Sequence, residues 1–174
     1  MFEEQASRLQ ATPISTTIQS VDWIIPLVQS IHIVTIGVVF VSISIVALRV
    51  LGRICVDQPF GAVMARFSPW IWSGLVVMAV TGITLVVGEP VRQFTSLSFW
   101  MKLGLIVVGA GSAVLFHRSL RVALAGTESE PVFSTAVRTG AAMTILLWVF
   151  VIFLGRAIAY DVEMWGSFSL QAGI

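Results

Sequence analysis

Charge is scarce in this chain. Of its 174 residues 11% are charged and 57% hydrophobic, with a mean hydropathy of +0.96, and that leaves too little polar surface to clothe a water-soluble domain. A single cysteine, Cys55, excludes an internal disulfide and a cysteine-built metal cage, and reads as an incidental thiol. The net charge is +1 and no basic run occurs, which argues against nucleic acid as a partner, because phosphate binding needs clustered Lys and Arg. There is no glycine-rich phosphate loop, and no Ser/His/acid constellation within the apolar runs, so a hydrolase is not expected. The six methionines are too scattered for a thioether copper array. A crossing takes about 20 apolar residues, so the length holds at most about five crossings and no large catalytic domain outside the membrane.

What is present is a set of long apolar runs. From Trp23 to Leu48 no Asp, Glu, Lys or Arg interrupts a sequence rich in Ile, Val and Leu nearly all round, the pattern of a lipid-exposed helix. Further runs follow from Phe67 to Gly88, from near Ser96 to Phe116, and between Arg138 and Asp161. Only helices and closed barrels satisfy their backbone in hydrocarbon, and segments of this length do so as helices despite many β-branched residues. The expectation is an all-α, polytopic membrane protein: a four-transmembrane-helix bundle with helices at about 23–49, 67–88, 97–118 and 138–160. A polar or interfacial segment, 1–22, precedes it, without the basic start of a secretory signal. A tail, 161–174, follows and could lie in the interface or touch a partner subunit.

Six basic residues, Arg49, Arg53, Arg66, Arg118, Arg121 and Arg138, stand at the two loops joining helices one to two and three to four. Four, Arg8, Arg92, Lys102 and Arg156, stand at the opposite end among six acids. The bias puts the loops in the cytoplasm and both termini outside. Trp23, Trp70, Trp72, Trp100 and Trp165 fall near helix ends, as an aromatic belt would. Gly104 and the stretch Gly109 to Ala113 give the third helix a small-residue face, and make it the expected centre of the bundle.

Ionisable residues inside the membrane are the best functional pointers, because each is costly without a partner, a cavity or a cofactor. His32 lies nine positions beyond Trp23, roughly 14 Å along the first helix. Two roles are open to it: a hydrogen bond within its own helix, or ligation and proton handling. Arg156, one turn before Tyr160, either snorkels to the interface or joins Lys102 and His32 in the outer leaflet. An imidazole beside two cations suits a buried anionic ligand; haem b fits, with His32 as the metal ligand and the cations on its propionates. His117 adjoins Arg118 and sits roughly 12 Å deeper than His32, a poor depth for sharing one iron. Met78 and Met143 are the alternative axial partners.

The segments Gln29-Ser30-Ile31-His32, Leu48 to Gly52, Thr81-Gly82, Phe99 to Leu103 and Gly155 to Tyr160 resemble a bacterial four-helix integral membrane family catalogued only as a domain of unknown function. That family is itself similar to the membrane part of copper-resistance protein D and to small b-type cytochromes. The resemblance runs from about Trp23 to Tyr160 and implies a multi-pass protein of the bacterial cytoplasmic (inner) membrane, with His32, Lys102 and Arg156 as the site. Three functions follow as expectations: a haem-binding or redox subunit passing electrons to a partner, a haem-free accessory subunit of a larger membrane complex or homo-oligomer, and a copper or small-solute permease. Stand-alone catalysis is not expected.

Overall fold

The structure, a computed structural model, describes residues 2–124 and 133–169, with the side chains of 2–3, 110 and 112–124 outside that description. The described chain is helical: α1 (Phe2–Gln10), α2 (Pro13–Gln19), α3 (Ile24–Val50), α4 (Phe60–Gly88), α5 (Pro90–Phe94), α6 (Leu97–Leu124), α7 (Thr135–Ala157) and α8 (Asp161–Trp165), with 3-10 turns at Ile158–Tyr160 and Gly166–Phe168.

Among the described residues three helical stretches are long and apolar enough to cross a membrane: Ile24–Val50, Phe60–Gly88 and Thr135–Phe168. The expected count was four. α6 is a helix of 28 residues, but its described apolar part, Leu97–Gly109, is too short to qualify. The hydroxyls on the long helices turn back on their own backbone. Ser30, Thr35, Ser42, Ser73, Thr84 and Thr144 each donate to the carbonyl four residues earlier at 2.7–2.9 Å, so these polar groups cost little in an apolar setting.

α4 begins seven residues before the expected start at Phe67. Arg66 suggested a boundary on charge alone, but Pro59 opens the helix and Phe60 and Val63, each 1% exposed, give its first turn an inward face. The early start also moves Trp70 and Trp72 ten and twelve residues into α4, away from a helix end. α3 closes on Gly52, whose φ of +70° lets the Arg53 N–H reach back to the Leu48 carbonyl at 2.9 Å. Arg138 donates to the Leu51 carbonyl at 3.0 Å and Arg49 to that of Gln58 at 2.8 Å, tying the loop to α7 and to itself. The buried core gathers here, from Val46, Ala47, Val50, Phe60 and Ala141. Phe60 meets Phe133 edge-on at 5.0 Å.

α3 lies against both α4 and α7, while α6 packs chiefly on α7. The expected centrality of α6 is therefore corrected among the described residues. Gly104 and Gly111 face open space, and only Gly109 meets a neighbour, Leu147. The close helix approach is elsewhere. Ile25, His32 and Val39 of α3, seven residues apart, face Gly88, Thr81-Gly82 and Gly74 of α4, also seven apart and running the other way. Val39 presses directly on Gly74, where a Cβ has no room. A small residue at every second turn is what lets two apolar helices approach in lipid, and the seven-residue repeat keeps the seam in register.

The short helices collect at the other end of the bundle. Thr12 caps α2, and buried Ser15 donates to the Val87 carbonyl at 2.7 Å, seating α2 on the end of α4. α1 packs on α5 with Ala6 fully buried. The interfacial segment expected at 1–22 is thus two helices docked on the bundle, and both ends of the described chain sit on the same side of it.

Candidate functional site

The seven-residue seam puts His32 where its neighbours in the repeat are Ile25 and Val39. Its imidazole is half-buried, and Nδ1 lies 2.7 Å from the hydroxyl oxygen of buried Thr81. That hydroxyl also lies 2.7 Å from the Val77 carbonyl. A hydroxyl has one proton, and the other helix hydroxyls give theirs to the carbonyl four residues back. The same choice at Thr81 makes Nδ1–H the donor to Thr81 and leaves Nε2 as the free acceptor of the ring. The ring edge packs against Gly82, where a Cβ would stand 3.6 Å from His32 Cε1, an ordinary contact.

Lys102 enters from α6. It is partly buried. Its Nζ packs against Gly155 of α7, where a Cβ would lie 3.4 Å from it. Counting rise along the helices, His32, Thr81 and Lys102 all lie roughly 7–12 Å in from the end that carries α1, α2, α5 and α8.

The other expected members stand apart. Arg156 is exposed, donates to the Tyr160 hydroxyl at 3.1 Å and lies over its ring at 5.1 Å, so both contacts go to one residue a turn further along the chain. His117 belongs to α6, fifteen residues beyond Lys102, with its side chain outside the described residues. Met78 is one turn before Thr81, and Met143 is 58% exposed. No group of three or more His, Cys, Asp or Glu suited to a metal occurs among the described residues.

A second polar cluster was not foreseen. Asp161, 1% exposed, accepts from the Ser98 N–H at 2.9 Å, the Leu97 N–H at 3.1 Å, the Ser96 hydroxyl at 2.8 Å and the Ser169 hydroxyl at 2.6 Å. Trp165 donates to the Ser98 hydroxyl at 2.8 Å. In the sequence Asp161 reads only as the acid that closes the last apolar run; Ser96 and Ser98 before a helix were the available signal.

These features define a helical membrane protein, with three described helices long and apolar enough to cross a bilayer and a small group of polar side chains near one end. The chain belongs to a family of unknown function, DUF6644, whose pattern matches residues 14–161. No curated protein and no solved structure matches it. The wider likeness to copper-resistance protein D and to b-type cytochromes has no support from these comparisons.

Proposed function

We propose that the chain is a haem-binding, electron-transferring subunit of the bacterial cytoplasmic membrane, crossing it four times with both termini outside and His32 as the iron ligand in the outer half. The supporting observation is the bond between His32 Nδ1 and Thr81. A ligating histidine is held by a hydrogen bond at its other nitrogen, which fixes the ring and keeps the metal-facing nitrogen unprotonated. The donor set would suit haem: Nε2 of His32 could hold the iron, and the Lys102 ammonium at a similar depth could meet a propionate. Haem would supply one-electron chemistry; Thr81 orients the ligand, and the apolar seam on either side limits water. Arg156 holds its helix end at the interface with Tyr160. An electron carrier without its own substrate site passes charge to a partner, another membrane subunit or a second copy.

The test is the reduced-minus-oxidised spectrum of protein purified from haem-replete cells, with metal analysis. A haem b spectrum lost in His32→Ala supports the reading, and a colourless wild-type protein overturns it. One observation favours a second reading, that of a haem-free accessory subunit: His32 takes a seam position, where a bond to Thr81 joins α3 to α4 with no ligand at all. A colourless protein whose stability falls in His32→Ala would establish that one.

A further inference from the structure

Among the described residues Lys102 is an ammonium without a counter-charge. No hydrogen bond or ion pair joins it to another described residue; the ion pairs among them link Arg8 to Glu4 and Arg92 to Glu89. The acids at this end of the bundle are committed or turned to solvent. Glu89 is bound to Arg92 at 2.9 Å, Asp161 is filled by four donors, and Asp22 and Glu163 are exposed. Yet Nζ turns to the neighbouring helix and packs against Gly155 of α7. A cation held about 7 Å inside the end of a membrane helix is costly until it meets an anion. The flanking Met101 and Leu103, each 42% exposed, present apolar surface on either side.

We propose that Lys102 binds the carboxylate of an apolar, membrane-dissolved ligand. The charge specifies the head of the ligand and the surroundings specify its body. A haem propionate and the headgroup of a long-chain fatty acid share this chemistry, so the inference does not need iron at His32.

The test titrates the full chain in neutral detergent with two matched pairs, haem b against its dimethyl ester and oleate against oleyl alcohol, following tryptophan quenching and, for haem, absorbance. In at least one pair the carboxylate should bind about tenfold tighter than its uncharged partner, as a charge-assisted hydrogen bond implies. Lys102→Gln should erase that preference and Lys102→Arg retain it. Gly155→Val keeps the charge but fills the space beside Nζ, and should weaken only the carboxylate form. Preference in the haem pair identifies a cofactor, and preference in the oleate pair alone a fatty acid. No preference in either pair, or one that survives both Lys102→Gln and Gly155→Val, overturns the proposal. A colourless wild-type protein with the oleate preference intact would sink only the redox function, and equal binding within both pairs by a protein that still shows a haem spectrum only this one.

Discussion

Asp161 accepts the backbone N–H of Ser98 at 2.9 Å, so the first turn of α6 is capped by a carboxylate 63 residues further along the chain. The first N–H groups of a helix have no partner within it. Here two of them, with the hydroxyls of Ser96 and Ser169, converge on one buried side chain, and the negative charge sits at the positive end of the α6 dipole. The cap also fastens the end of α7 to the start of α6. Asp161→Ala should therefore cost on the order of 2–3 kcal/mol, the scale of losing charged hydrogen bonds and leaving buried donors unmet. Thermal unfolding in detergent measures it; an unchanged midpoint would mean the cap is not a structural tie.

The seam between α3 and α4 predicts an asymmetric glycine scan. At Gly74 a methyl group meets Val39 where both helices are fixed, so Gly74→Ala should destabilise by about 1–3 kcal/mol, the usual cost of overpacking. At Gly109 the neighbour is the tip of Leu147, a flexible side chain that can swing, and Gly109→Leu should cost less. Gly111 faces open space, and Gly111→Leu should be silent. Equal losses at 74 and 111 would show that the close approach lies on α6 instead.

The helical class and the extents of α3 and α7 were legible because membrane helices announce themselves by uninterrupted apolar runs. Boundaries set by packing were not: Phe60 and Val63 extend α4 past a charged Arg66, which hydropathy reads as an end. Nor was the seam. Gly74, Thr81 and Gly88 repeat at seven, but their meaning depends on Val39, His32 and Ile25 lying opposite, a pairing that one sequence does not supply. Of the candidate site, His32 and Lys102 stood out because polarity inside an apolar run is visible residue by residue. Thr81, whose hydroxyl meets the ring, carries no such signal. Arg156 was grouped with them on depth and on the resemblance, and neither says which face of a helix a side chain takes.

The bond between His32 and Thr81 separates orientation from ligation. Thr81→Val keeps the shape of the side chain and removes the acceptor for Nδ1–H. If His32 ligates haem, Thr81→Val should leave the cofactor bound but weaken it by roughly 10- to 100-fold, the usual effect of losing the group that orients a metal ligand. His32→Ala should remove it outright. A Thr81→Val protein with wild-type haem affinity would show that the ring is positioned by seam packing alone.

Orientation can be read with the single thiol. Cys55 lies in the loop after α3, partly buried, at the end that holds Arg49, Arg53, Arg66 and Arg138. Short loops rich in Arg stay in the cytoplasm, so a membrane-impermeant maleimide should spare Cys55 in intact cells and label it after permeabilisation. Partial burial of the thiol could mimic protection, and a second probe removes that ambiguity. Ser167 is exposed at the opposite end, beside the docked short helices. Ser167→Cys, in a chain with Cys55→Ser, should label in intact cells. Labelling of Cys55 from outside together with protection at 167 would invert the bundle, and would put His32 and Lys102 in the cytoplasmic half.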